Sequence, residues 1–153
     1  MDIDIQILEE KKWETLDVAG LVNLATDLVF QNLALDKACE ISFLFTNNAK
    51  IQELNKQYRG KDKPTNVLSF AFNDSGEECF MLGDVCLAYD FIKNEALEQN
   101  KKFQDHLLHL IIHGILHLVG FDHIDDNQAE EMEELETELL SKINITNPYK
   151  GED

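Results

Sequence analysis

With 153 residues, 44% of them hydrophobic and 28% charged, the chain has the size and composition of one soluble globular domain with a real core. A formal net charge of −17 argues against sequence-independent nucleic-acid binding, because such a chain repels a phosphate backbone at long range; nucleic acid would have to be met by a local basic patch. The acidic, alternating start is no signal peptide and no apolar run approaches the roughly 20 residues of a membrane helix, so the expected location is the cytoplasm.

In chain order, Asp2 to Ile7 alternates polar and apolar, as a half-buried strand does. Leu16 to Leu33 carries apolar residues at helical spacing (Leu21, Leu24, Ala25, Leu28, Val29). Glu40 to Phe45 is a short apolar strand. Thr46, Asn47 and Asn48 then offer cap side chains to a helix running to about Tyr58, which Gly60 can end. Lys61 to Pro64 is a loop, Asn66 to Phe72 a strand, Asn73 to Gly76 a turn and Met81 to Ala88 another strand. Asp90 to Asn100 and Phe103 to Val119 read as helices. The last helix, Asp125 to Ile143, buries Met132, Leu135, Leu139 and Leu140, and Pro148 and Gly151 mark a frayed tail. From Asp122 to Glu138 there are nine acids and no Lys or Arg, which reads as a solvated helix face. Cys39, Cys79 and Cys86 lack metal-type spacing and read as packing thiols of a reducing compartment. With no repeat, linker or boundary, the expectation is a single α/β domain (α+β type) over residues 1–153, a mixed sheet of about four strands covered by about five helices.

The chemistry concentrates between His109 and His123. His113 and His117 are four apart and share a helix face, so their two imidazoles can grip one metal ion. His109 lies eight residues from His117, about 12 Å along the axis, too far to share an ion whose bonds to nitrogen are about 2.0–2.1 Å. The third ligand should come from chain that turns back. Gly120 can end the helix in the left-handed conformation, and His123 follows three residues later. This H-x3-H-x5-H spacing, with a glycine three residues past the second histidine, is that of the metzincin signature. That signature has a glutamate as general base where this chain has Gly114, and glycine cannot accept a proton, so peptide hydrolysis is disfavoured. Three imidazoles suit zinc first, with nickel or copper as alternatives. Taken singly, these histidines on an apolar helix would read as core residues. His106 and His109 keep that reading, with an outer supporting role open for His109. Asp122 is left open between a fourth ligand, an outer carboxylate and a surface acid.

The second informative stretch runs from Asn55 to Phe70. Arg59 is the only arginine, and Lys56, Arg59, Lys61 and Lys63 place four of the 13 basic residues within eight positions. Arginine presents a planar fork suited to phosphate oxygens, and against an acidic background this is a site for an anionic substrate. Surface ion pairs with some of the 30 acids would explain the same charges as well.

The stretch from His113 to His123 resembles the H-G-x-L-H-L-x-G-Y-D-H signature of the YbeY family, bacterial rRNA-maturation endoribonucleases. Asn55 to Phe70 resembles that family's N-x-x-Y-R-x-x-D-x-P-T-D-V-L-S-F block, and Leu82-Gly83-Asp84-Val85 its L-G-D-I segment. Phe121 replaces the usual Tyr and Asn66 the usual Asp; the second change removes a carboxylate, so a mechanism with its base at position 66 is in doubt. The resemblance implies a metzincin-like core and a metal-dependent, single-strand-specific endoribonuclease acting in 16S rRNA 3′-end maturation and ribosome quality control. It places the metal on His113, His117 and His123, with zinc the usual ion, and makes Arg59 the functionally required arginine. Arg59, Lys61 and Lys63 would meet the substrate, and rRNA with the ribosome or its proteins would be the partners. The acidic last helix would then dock on a basic ribosomal protein. The alternatives are a non-catalytic ribosome-assembly factor with a structural metal, and a metallohydrolase of another phosphoester.

Overall fold

Alternation along one strand sets the two sides of the sheet. In β2 (Cys39–Thr46), Ile41, Phe43 and Phe45 are buried on one face, while Leu44 turns to the other. The structure, a computed structural model, describes residues 2–35, 39–72, 80–121 and 125–149. Its sheet contains β1 (Asp2–Ile7), β2, β3 (Val67–Ala71) and β4 (Phe80–Ala88) in the order β1-β2-β4-β3. β1 and β4 run parallel to β2, and β3 closes one edge antiparallel to β4. The sheet is therefore mixed, as expected.

Five α-helices are described: α1 (Val18–Asn32), α2 (Asn48–Arg59), α3 (Tyr89–Glu98), α4 (Phe103–Leu118) and α5 (Asp126–Ser141). The main core gathers Ile41, Phe43, Phe45, Val85 and Leu87 of the sheet against apolar residues of α1, α3, α4 and α5. α4 is the central element of that layer. Leu107, Ile111, Ile112 and Ile115 are fully buried, each contributing about 1.5–3 kcal/mol of hydrophobic stabilisation. α2 covers the opposite face through Ile51, which meets Leu68, Cys86 and Ala88. Cys39 and Cys86 are both buried, and Cys86 is a free thiol; Cys79 lies outside the described residues. Burial, then the charge of Asp84, pushes the Cys86 thiol up to about 12, which suits packing and not nucleophilic chemistry.

The caps explain the helix starts. Asp17, Asn47 and Asp125 accept from the backbone N–H three residues on, at 3.0, 2.8 and 2.8 Å, each replacing a bond the first turn lacks. Gly60 ends α2 with φ +69°, the conformation expected of it.

Two features depart from the expected elements. Lys11–Thr15 forms a single 3-10 turn, too short for periodicity to reveal. It buries Trp13, whose Nε1 donates to the Thr46 carbonyl at 2.8 Å and whose ring packs edge-on against Phe45 and Tyr89. The second is the tail. Pro148 and Tyr149 are docked and not frayed: Lys101 Nζ donates to the Pro148 carbonyl at 2.8 Å, and the Tyr149 hydroxyl donates to Glu136. The turn at Asn73–Gly76, and Gly151, lie outside the described residues. No helix among the described residues is long and apolar enough to cross a membrane.

Candidate functional site

α4 places His113 and His117 one turn apart on the face that looks past the β3 edge. Their Nε2 atoms are 3.1 Å from each other, with the rings nearly perpendicular at 79°. Two ligands of a tetrahedral zinc ion with bonds of about 2.0–2.1 Å lie about 3.3 Å apart, so this pair converges as two ligands of one ion do. The Nδ1 of His113 is committed elsewhere, to Glu136 Oε2 at 2.8 Å. These donors fit a zinc-type ion: one nitrogen of His113 is held by a carboxylate and the other faces its neighbour. His123 and Asp122 lie outside the described residues, and among the described residues no three His, Cys, Asp or Glu side chains form a metal-holding group. Gly120 has φ +112°. The Phe121 N–H bonds back to the Leu116 carbonyl at 3.0 Å, so the chain does turn at the glycine picked out as the hinge.

Gly114 has a structural reason to be glycine. A Cβ there would lie 2.7 Å from Val85 Cγ1 and 3.2 Å from Ser69 Oγ. The Ser69 hydroxyl donates to the Gly114 carbonyl at 3.2 Å, so α4 lies directly against β3 and β4 at this point. A glutamate of the metzincin type has no room at 114.

Arg59 reaches the same place from the other side of the sheet. It leaves the last turn of α2, exposed, and its Nη2 donates to the Ser69 carbonyl of edge strand β3 at 2.5 Å. Its guanidinium stands 5.4 Å from the Phe70 ring centroid. Arg59, Lys61, Lys63, His113 and His117 all line one groove of about 680 Å³. Lys56, the fourth base of the cluster, is not among its lining and lies 3.9 Å from Asp62. Three of the four clustered bases thus share a groove with His113 and His117.

Asn66 also lines the groove. Its Oδ1 accepts from the Val67 N–H at 2.6 Å and its Nδ2 donates to Glu95 Oε1 at 3.0 Å. Glu95 Oε1 also pairs with His106 Nε2 at 3.0 Å. An aspartate at 66 would set two carboxylates face to face; asparagine turns that contact into a hydrogen bond. Burial would raise the Glu95 carboxyl, but the hydrogen bonds from His106 and Asn66, with the charges of His106 and Lys101, hold it below the usual range. A group lowered in this way contributes stability above its ordinary value of 4.5, and that contribution is lost as pH falls below it. Urea midpoints followed from about pH 6 to about pH 3 should therefore fall more steeply for the parent chain than for Glu95→Gln. Parallel curves would contradict the assignment.

The residue that sequence reasoning missed is Glu136. It belongs to the acidic run read as a solvated face, yet it is fully buried. Its Oε1 takes His109 Nε2 at 2.6 Å and the Tyr149 hydroxyl; its Oε2 takes His113 Nδ1. Burial alone would raise its pKa, but the hydrogen bonds from His109 and His113 bring it down to about 2, so it is ionised. Burial pushes His109 below its ordinary value against the pull of Glu136, which keeps that ring neutral. Burial and the adjacent carboxylate push the Tyr149 phenol well above its ordinary value, so it stays a donor. The remaining acids of α5 that were read as solvated, Asp126, Glu130, Glu131, Glu133, Glu134 and Glu138, are exposed.

Comparison with known proteins agrees with this architecture. A family model described as Endoribonuclease YbeY matches residues 4–144. A protein named Endoribonuclease YbeY from Agrobacterium fabrum is 49% identical over 167 residues, covering 99% of this chain and 97% of its own. One of the same name from Sinorhizobium fredii is 43% identical over 162 residues, covering 96% and 92%. The solution structure of TM1509 from Thermotoga maritima superposes with a TM-score of 0.60 at 26% identity, covering 95% of this chain and 99% of that one. With a family model spanning nearly the whole chain and relatives matched end to end, this protein belongs to the YbeY endoribonuclease family.

Proposed function

We propose that this chain is a metal-dependent, single-strand-specific endoribonuclease, one domain over residues 1–153, acting in the cytoplasm on 16S rRNA 3′-end maturation and ribosome quality control. The observation that carries the reading is the shared groove: Arg59, Lys61 and Lys63 line it together with His113 and His117. Those bases are exposed, so the groove presents local positive charge on a chain of net charge −17. That is the local patch an acidic protein needs in order to approach a phosphate backbone.

His113, His117 and His123 would hold one divalent ion, zinc by preference for imidazole nitrogen. Bound there, the ion supplies Lewis acidity at a phosphoryl oxygen. The chain's own residues do the rest. Lys61 and Lys63 draw the strand into the groove by charge. Arg59, steadied by Ser69 and Phe70, offers its remaining N–H groups to the phosphate oxygens and neutralises charge that develops on them. The ribosome enters as the partner on which the exposed acids of α5 meet a basic ribosomal protein.

The test is cleavage of single-stranded and duplex RNA carrying the 16S 3′ end, by zinc-loaded protein, by chelated protein and by chelated protein given zinc again. Loss on chelation, return with zinc and preference for the single strand are expected. Zinc-loaded protein that leaves RNA intact would favour a non-catalytic assembly factor. End-mapping then separates the two nucleophiles, since a 2′,3′-cyclic phosphate marks attack by the RNA's own 2′-hydroxyl and not by water.

A further inference from the structure

A tightly held polar group lies behind the histidines and not in the groove. Glu136 is fully buried on α5, and three donors converge on its two oxygens from two other parts of the chain: His109 and His113 on α4, and Tyr149 on the docked tail. A buried carboxylate with partners this numerous is held in one orientation, because any rotation breaks hydrogen bonds that no solvent can replace. Its Oε2 is spent on His113 Nδ1 at 2.8 Å. A carboxylate oxygen only accepts, so the proton of a neutral His113 ring must sit on Nδ1. The lone pair then sits on Nε2, the nitrogen that faces His117 Nε2 at 3.1 Å. Tyr149 and His109 close Oε1 from the other side, and their own contact at 3.1 Å completes the clamp.

We infer that Glu136, clamped by His109 and Tyr149, is a positioning residue that fixes the His113 tautomer and aims its Nε2 into the ligand pair. The inference rests on the proposal that His113 and His117 hold a metal. It goes beyond that proposal by giving the last helix and the tail a part in the site. It also gives a reason for an acid at 136 where the burial pattern of α5 calls for an apolar side chain. Glu136 follows Met132 by one turn and precedes Leu139 and Leu140, all buried, so only a paired charge is tolerated there.

Glu136→Gln tests this with little change in volume. The amide has one acceptor oxygen and one donor nitrogen, so it cannot accept from both His109 and His113 through different atoms. One ring must then present a lone pair to the amide, and where that ring is His113 its proton moves to Nε2. Three measurements follow: zinc affinity by chelator competition, thermal unfolding of the metal-free protein, and ring-nitrogen NMR of His113 without metal. The expected result is a folded Glu136→Gln protein whose zinc affinity falls about 10–100-fold. The metal-free parent should show His113 protonated on Nδ1, and the variant should show the other tautomer or a mixture. A folded variant with parental zinc affinity, or a parent with the proton on Nε2, would overturn the inference. If the variant does not fold, the parent's tautomer still decides. His117→Ala is the control for the underlying reading: if it binds zinc as the parent does, the metal proposal fails, whereas loss there with no change in Glu136→Gln fails this inference alone.

Discussion

Gly83→Ala should destabilise the chain by about 2–6 kcal/mol, enough to unfold much of a protein whose total stability is of order 5–15 kcal/mol. Two costs add. Gly83 has φ +153°, a conformation that side chains rarely adopt, and holding a non-glycine residue in it costs about 1–3 kcal/mol. A Cβ there would also lie 2.2 Å from the Phe70 carbonyl oxygen and 2.7 Å from Leu118 Cδ2. Overpacking of this kind costs about 1–3 kcal/mol where neighbours can yield, and a backbone oxygen yields least. The oxygen belongs to β3, which pairs with β4 at Ala71 and Gly83, and the pairing of β4 with β2 shifts register just before it. Moving Phe70 aside would displace Ser69, which holds both Arg59 and Gly114. The site should therefore be damaged along with the fold. Gly60→Ala is the comparison: Gly60 also has positive φ, +69°, but nothing lies within 4 Å of its added Cβ. Urea unfolding should give a clearly larger loss for Gly83→Ala. Equal losses would mean that the contact with Phe70 relaxes without cost.

What could be read from the residues, and what could not, follows from the range of the interactions. β1 was legible because Ile3 and Ile5 alternate with polar residues on a half-buried edge, and α4 because its apolar stretch is too long for a strand, although the helix is buried almost all round. The pair His113 and His117 is a local fact of helical geometry, and the structure sets their Nε2 atoms together. Arg59 was marked by being the sole arginine. Its place beside those histidines depends on α2 ending at Gly60 just where the β3 edge passes, which spacing does not encode. Glu136 is the instructive miss. Counted with its neighbours it is one more acid on a charged helix. Counted along the buried stripe of Met132, Leu139 and Leu140 it faces the core and demands a partner. The signal was present, and the charge run obscured it. Tyr149 left no such signal, because its approach to Glu136 depends on how the chain turns after α5. Nor did Glu95, which reaches Asn66 across 29 positions. His123, expected as the third ligand, lies outside the described residues, so its part rests on the spacing and on the family.

Arg59→Ala should lower RNA cleavage by about 10²–10³-fold while leaving zinc content and stability near those of the parent. Stability should hold because the side chain is exposed, and surface substitutions of this kind usually stay within about 0.5 kcal/mol. Zinc should stay because Arg59 is held by the Ser69 carbonyl and the Phe70 ring and not by His113 or His117. Those two contacts also explain why Lys should rescue poorly. An ammonium can donate to Ser69 or reach a phosphate, but it has no planar fork to do both at once, and it stacks less well on the ring. Arg59→Lys should therefore sit near Arg59→Ala in rate despite its retained charge, whereas Lys61→Ala and Lys63→Ala should chiefly weaken RNA binding and flatten its salt dependence. Rates, RNA affinity at two salt concentrations and zinc content separate the cases. Should zinc be lost with Arg59, the metal and phosphate roles are not divided as proposed. Should Arg59→Lys cleave like the parent, the guanidinium geometry is irrelevant and only positive charge is needed at the end of α2.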